Sequence, residues 1–376
     1  MTTRVAIIGC GFIGGIHSRA LKGLIGGGLV DARVVAVADA DTERAAAFGA
    51  AHRADVVTDD PAIAMADADA VWICTPTSSH RALVEGAAAA GLAVYCEKPL
   101  ATSVDDVLAM VDCVETAGVP HQVGLVLRAA GPIATLQRLA TDSPTVGRPM
   151  AVVFRDDQYF PNQGQYGSGW RADVAVAGGG TLIEHSIHDL DVLAWVLGPV
   201  RTVTCRTANF AGHEGIEDVA ALTAEHASGA TSSLISVWHQ VLSRPSTRRI
   251  EVFCERAFVW LDDDMGGPVH LVRDGGDQIV PTPTAAGWID QLAVPPAWRP
   301  GLAAYAAADR AFLTALAAGT RPAPGFDVAV AAHLVADAAY RSAGLGGAPT
   351  PVAGPGRVVV TGHVREDGHS DTGVKG

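Results

Sequence analysis

Two short stretches of this 376-residue chain carry residue types that together can move a proton and hold an oxygen anion. The first is Tyr95-Cys96-Glu97-Lys98-Pro99. Basic residues are almost all arginine, and the only lysines are Lys22, Lys98 and Lys375, so a mid-chain lysine is an exception. An ammonium in a ligand cleft can hold a substrate hydroxyl and stabilise the alkoxide as its proton leaves, and burial lowers its pKa toward a useful range. The alternative is a Glu97 to Lys98 surface pair of little energetic weight. The second stretch runs from Gly178 through Glu184, His185, His188 and Asp189 to Asp191. On one helix Glu184, His188 and Asp191 fall at i, i+4 and i+7 on one face, with His185 and Asp189 on a neighbouring one. His188, held in one tautomer by Glu184, is then a general base near neutral pH. The bland alternative is a buried histidine satisfied inside the fold. His and carboxylates also suit a metal ion, but no Cys or His spacing elsewhere completes a ligand set, and no metal is expected.

A third constellation binds rather than reacts. Gly9, Cys10, Gly11, Phe12, Ile13 and Gly14 have the G-x-G-x-x-G spacing, directly after a strand-like run and directly before a helical one. Such glycines permit a tight turn, a close backbone approach to a pyrophosphate and close helix packing, while the helix N-terminus offers unpaired N–H groups. In a glycine-rich chain the spacing alone is weak, and the alternative is an ordinary turn. Asp39 follows Gly14 by 25 residues, at the end of the second strand. A carboxylate there accepts from adenosine ribose hydroxyls and repels a 2′-phosphate, so NAD is favoured over NADP. No arginine is expected beside it, although Arg44 is about one helical turn away. Thr75 and Pro76, followed by Ser78, Ser79 and His80, sit where the fourth strand meets a helix; they contact the cofactor, or Ser78 merely caps that helix.

These residues need elements to hold them. Short apolar runs at Val5 to Ile8, Val34 to Ala38, Val56 to Val57, Ala70 to Cys74, Ala93 to Cys96 and Gln122 to Leu125 alternate with helix-period segments, the pattern of βαβ units and a doubly wound parallel sheet. The glycines at 26–28 stop the first helix. Beyond an Ala/Leu-rich helix ending near Ala140, segments at Ala151 to Tyr159, Val200 to Asn209, Asp218 to His226, Thr231 to His239, Arg249 to Glu255 and Ala257 to Asp262 predict a largely antiparallel open sheet. One helix, Leu182 to Leu197, interrupts them, and helices at Ala303 to Ala317 and Val328 to Ser342 close the fold. The expected division is residues 1–125 as a dinucleotide-binding α/β domain, 126–345 as a substrate-binding and oligomerising α+β domain, and 346–376 as a Gly/Pro-rich tail with a short strand at Arg357 to Thr361. No internal repeat is present.

Composition excludes several classes. The chain is 49% hydrophobic and 18% charged, too apolar for disorder, yet it has no stretch long enough to span a membrane. A net charge of −13 argues against nucleic acid and anionic membranes as partners. The six cysteines lack paired spacing and are expected as buried thiols of a cytoplasmic protein. No export signal is expected at the N-terminus, where a strand-like run starts at Arg4.

From G-C-G-F-I-G through T-P-T-S-S-H and E-K-P to the Gly178 to Asp191 block, the chain resembles the glucose-fructose oxidoreductase, inositol dehydrogenase and MocA family over nearly its full length. The resemblance implies that Lys98 contacts substrate and that Glu184 and His188 are catalytic partners, with Glu184 standing where the family more often has Asp. It implies cofactor contacts from Gly9, Gly11, Phe12, Ile13, Gly14, Asp39, Thr75, Pro76, His80, Glu97 and Lys98. It places Arg128, Arg155, Gln158, Tyr159, Trp170, Arg171 and His185 in substrate-lining segments, although Tyr159 and Trp170 are equally natural as core or surface aromatics. Arg155 and Arg171 either meet an anionic group or stand as ordinary surface residues. The expected partner is a carbohydrate or cyclitol, and the expected assembly a homodimer or homotetramer formed through the open sheet. The expected reaction is NAD-dependent interconversion of a secondary alcohol and its ketone. Alternatives are oxidation and elimination with internally recycled NAD, or a non-catalytic sensor of sugar or NAD.

Overall fold

The structure is a computed structural model and describes residues 2–282 and 287–354. The strand expected at Arg357 to Thr361 lies outside those residues, as does most of the expected tail.

The first sheet is parallel and contains β1 (Thr3–Ile8), β2 (Ala32–Ala38), β3 (Val56–Thr58), β4 (Ala70–Ile73), β5 (Ala93–Cys96) and β6 (His121–Val123) in the order β3-β2-β1-β4-β5-β6. Helices α1 (Phe12–Gly26), α2 (Thr42–His52), α3 (Pro61–Met65), α4 (His80–Ala89) and α5 (Val104–Ala117) connect these strands. Successive residues of β1 and β4 are buried without alternation, because helices cover both sheet faces. The order reverses between β1 and β4, which opens a crevice at their carboxyl ends, where Gly9, Cys74 and Thr75 stand. Helix α1 ends at its glycines, with Gly27 as C-cap. Helix α2 starts where the Asp41 side chain accepts from the Arg44 N–H.

The second sheet follows α6 (Gly131–Ala140) and α7 (Ser143–Val146). It comprises β7 (Pro149–Tyr159), β8 (Val200–Ala208), β9 (Val219–His226), β10 (Thr231–His239), β11 (Thr247–Cys254), β12 (Phe258–Leu261), β13 (Val269–Arg273), β14 (Gly276–Val280) and β15 (Thr350–Pro351). All pairings are antiparallel except β7 with β10. The sequence pattern did not reveal β13, β14 or β15, which are short and partly polar. Alternating burial in β9 and β10 marks one face packed and one open. Helices α8 (Val174–Ala177), α9 (Thr181–Glu184) and α10 (Ile187–Leu197) are inserted after β7. The single helix expected over Leu182 to Leu197 is therefore two, broken at His185 and Ser186, whose N–H groups both bond back to the Thr181 carbonyl.

Of the last helices, α11 (Arg299–Ala318) returns to α1 in the first sheet's layer, and α12 (Phe326–Gly344) bridges the layers, packing on β8 and α10 as well as on α5. Leu302 and Ala306 of α11 bury against Ala20 and Leu24 of α1, and Phe326, Val330 and Leu334 of α12 join the core of Val107, Met110 and Val114 on α5. Each large side chain so buried stabilises by about 1.5–3 kcal/mol. Among the described residues no helix is long and apolar enough to cross a membrane.

Candidate active site

The crevice at the sheet switch point deepens into one cavity of about 950 Å³, which reaches from the glycine turn to the second sheet. Gly9, Gly11, Phe12, Ile13, Asp39, Thr75, Pro76, Glu97 and Lys98 all line it. Gly9 has φ +91°, and a Cβ there would come within 2.6 Å of the Cys74 backbone, so the turn needs glycine. Gly14 is not on the wall; a Cβ there would collide with the Gly9 carbonyl oxygen, so its role is close packing of α1 on β1. The Gly11 N-cap has no side-chain cap bond and α1 has no acid in its first turn. The turn thus presents an open helix N-terminus to an anion, and the residues fit a dinucleotide pyrophosphate.

Asp39 accepts from the N–H groups of Cys10 at 2.6 Å and Asp41 at 2.8 Å, which fixes its carboxylate at the tip of β2. The expectation that no arginine stands beside it is corrected. The first turn of α2 folds Arg44 back, with Nη2 3.8 Å from Asp39 and 2.9 Å from Asp41. His80 is also corrected. Its buried ring faces the carbonyl oxygens of Pro99 and Thr75 at 2.9 Å each, so it staples the ends of β4 and β5 together instead of lining the cavity.

Lys98, Glu184, His185 and His188 also line the cavity. Lys98 Nζ donates to the main-chain oxygen of Glu184 at 2.8 Å. Burial, with Arg171 nearby, draws the Lys98 pKa below its ordinary value. The expected Glu184–His188 contact does not form, because the helix break turns the two side chains apart. Glu184 Oε1 accepts from the Thr77 hydroxyl at 2.7 Å and Oε2 from Arg171 Nε at 3.1 Å. Asp191 stays on α10 with His188, one turn on, and accepts from Nε and Nη2 of Arg128 at 2.7 Å each. His188 Nδ1 is buried and has no hydrogen-bond partner among the described residues. Burial, then Lys98 and Arg248, hold the His188 pKa well below its usual value, so the ring is neutral.

Beneath them lies a charged cluster that the sequence pattern did not reveal. Buried Arg248 donates from Nε to Asp189 at 2.9 Å, from Nη1 to Asp264 at 2.9 Å and from Nη2 to Asp156 at 3.1 Å. His185 Nε2 meets Asp156 at 3.0 Å, and burial together with Arg248 keeps the ring neutral. Burial and the neighbouring Asp156 push the Asp189 carboxyl up to about 7. Arg248 shares its strand face with buried Ile250 and Val252, and that alternation is the signal that could have found it.

Of the other substrate-lining residues expected, Gln158, Trp170 and Arg171 are on the wall, with the Arg171 guanidinium 4.3 Å from the Trp170 ring centroid. Three are not. Arg155 projects from the open sheet face to pair with Asp157 at 3.1 Å, because strand alternation sends it away from Gln158. Tyr159 is buried behind Tyr166 and accepts the Gln165 N–H through its hydroxyl. Arg128 is committed to Asp191 and to the Trp195 ring face. Tyr166, Ser246, Asp264 and Tyr305 line the cavity without having been singled out in the sequence.

Comparison with known proteins gives the following similarities. Residues 3–125 match the model for the oxidoreductase family with an NAD-binding Rossmann fold, and residues 133–259 match the GFO/IDH/MocA C-terminal domain. Inositol 2-dehydrogenase from Rhizobium meliloti (strain 1021) is 31% identical over 354 residues, covering 91% of this chain and 97% of that protein. D-apiose dehydrogenase from Paraburkholderia graminis is 32% identical over 291 residues, 75% of this chain and 73% of that protein. Among solved structures, an oxidoreductase from Agrobacterium radiobacter in complex with NAD+, L-tartaric acid and magnesium superposes with a TM-score of 0.78 at 26% identity, over 94% of this chain and 99% of that one. A levoglucosan dehydrogenase holding NADH and levoglucosan has a TM-score of 0.81 at 21% identity, over 94% of this chain and all of that one, a likeness of fold.

Proposed function

The chain belongs to the GFO/IDH/MocA family of NAD-binding oxidoreductases, and on that footing we propose that it interconverts a secondary alcohol and a ketone on an uncharged sugar or cyclitol. The observation that carries this reading is that Lys98, from the first sheet, and His188, from the second domain, line the same cavity as the Gly9 turn and Asp39. The Gly9 to Gly14 turn holds the pyrophosphate, Asp39 the adenosine ribose, and Glu97 with Thr75 the nicotinamide end. NAD, when bound, supplies the hydride acceptor for oxidation. Lys98 Nζ holds the substrate oxygen and stabilises the charge that grows on it. His188, held neutral and lining the cavity, takes the hydroxyl proton. Glu184 is a positioning residue: its main-chain oxygen aims Lys98, and its carboxylate ties Thr77 to Arg171.

The preference for an uncharged substrate follows from the wall. Arg171 is charge-paired with Glu184 and Arg248 with three aspartates, so these side chains bring no net positive charge to the wall, which favours an uncharged substrate over a carboxylate or sulfonate. Relatives named for inositol and apiose act on such molecules. NAD over NADP rests on the doubly anchored Asp39 carboxylate. A second copy of the chain covers the open sheet face, where Val153, Ile235 and Phe253 are exposed. Mass in solution for wild type and Ile235→Lys tests that assembly, and a monomeric wild type would remove it.

The deciding experiment is a screen of neutral sugars, cyclitols and their acids for NAD reduction, followed by absorbance at 340 nm. Net NADH release with a neutral polyol supports a dehydrogenase. Product without net NADH would mark oxidation and elimination, ligand binding with neither would mark a sensor, and a preference for acids would overturn the uncharged class.

A further inference from the structure

Glu97 stands on the cavity wall yet is only 4% exposed, and its carboxylate is held from several sides. Oε2 lies 3.2 Å from the Lys98 N–H, and a Cβ on Gly124 would collide with Oε1, so that glycine makes room for it. Oε1 also meets Nε2 of His17 at 3.0 Å. His17, on the first helix after the glycine turn, is completely buried and plays no part in the chemistry described above. Its other nitrogen, Nδ1, meets Asp309 Oδ1 on α11 at 2.8 Å, and the same oxygen accepts from Trp72 Nε1 at 2.9 Å. The ring also stands edge-on to Tyr95 and Tyr305, at 5.1 and 5.6 Å between centroids. A buried carboxylate costs several kcal/mol unless its oxygens are satisfied, so this row is built to keep Glu97 in one place.

Resting on the proposed NAD-dependent reading, we infer that His17 is a positioning residue for the cofactor, which holds the Glu97 carboxylate at the cavity wall as a fixed acceptor for a hydroxyl of the nicotinamide ribose. With both ring nitrogens facing carboxylate oxygens, His17 donates from both, and Asp309 and Glu97 outweigh burial to push its pKa up to about 10. The row therefore also links cofactor binding to α11, an element of the second half of the chain.

The test measures NADH binding by fluorescence, without turnover, in wild type, His17→Gln, Glu97→Gln and the double variant, alongside melting temperature. A merely structural histidine lowers melting and leaves affinity alone. If His17 acts through Glu97, His17→Gln raises the NADH dissociation constant roughly tenfold, the scale of one lost fixed hydrogen bond, and changes it less than about twofold when Glu97 is already Gln. Unchanged affinity in folded His17→Gln, or an equal loss in both backgrounds, would overturn the inference. Should His17→Gln not fold, Asp309→Asn loosens the ring from behind and is expected to give a smaller, Glu97-dependent loss, and its absence overturns the inference too. Wild-type protein that bound no NADH would instead sink the cofactor reading itself.

Discussion

Lys98 Nζ and the main-chain oxygen of Glu184 lie 2.8 Å apart, so the ammonium at the end of β5 is aimed by the break between α9 and α10. Lys98 thus meets the second half of the chain through a backbone atom, which no side-chain substitution at position 184 removes.

If Lys98 and His188 act as proposed, replacing either should separate chemistry from binding. Lys98→Met and His188→Ala are expected to lower kcat by roughly 10² to 10⁴ and to leave NADH affinity nearly unchanged. Steady-state kinetics beside fluorescence titration checks this, and full activity in either variant removes that residue from the mechanism.

Cofactor choice should turn on Asp39. Asp39→Ala removes the acceptor for the ribose hydroxyls and the carboxylate that repels a 2′-phosphate, and leaves Arg44, which stood 3.8 Å away and stays paired with Asp41, as the cation nearest that phosphate. The ratio of NADPH to NADH affinity is expected to rise by about tenfold or more, and much less when Arg44→Ala is added. A ratio that Asp39→Ala leaves untouched would sink the assignment.

The Arg248 cluster predicts an asymmetry in stability. Arg248→Leu strands Asp156, Asp189 and Asp264 around a lost cation and should cost about 3–5 kcal/mol in denaturant unfolding. Asp189→Asn should be far milder near neutral pH, because the Asp189 carboxyl is already pushed up to about 7. Equal losses would show that the cluster is not held by its arginine.

Stability should also fall on the alkaline side. His17 is raised from 6.5 to about 10 in the fold by Asp309 and Glu97 against burial, so its contribution is fully present below pH 6.5 and is lost as pH rises through about 10. Asp189, raised from 3.8 to about 7 by burial and Asp156, loses its contribution earlier, between about pH 4 and 7. Melting temperature against pH should decline from 7 to 10 in wild type and decline less in His17→Gln. Parallel curves would refute the ion-paired histidine.

Much of this was legible in the sequence because the relevant signals are local. The glycine turn, Asp39 at the tip of β2 and Lys98 after β5 all follow from strand ends read off apolar runs. The contacts of the Gly178 to Asp191 block were not legible, because its break contains neither glycine nor proline. Ser186 leaves the helix for tertiary partners, its hydroxyl lying 2.6 Å from Ser236 Oγ and 3.2 Å from Asp156 Oδ2, and neither contact is visible in helical periodicity. His17 and Asp309 are 292 residues apart, beyond any spacing argument. Strand alternation alone turns Arg155 to the open face of β7, whereas the burial of Tyr159 depends on Tyr166 and Gln165, contacts that no spacing in the strand reveals.

The return of α11 onto α1 bears on how this protein can be handled. A fragment cut at residue 125 would lose Asp309 and leave Ala20 and Leu24 without Leu302 and Ala306, putting an oily stripe and a half-partnered histidine into water. The nucleotide-binding half should thus resist recombinant excision: carried alone, or grafted onto a foreign partner, it would aggregate unless the terminal helices travelled with it.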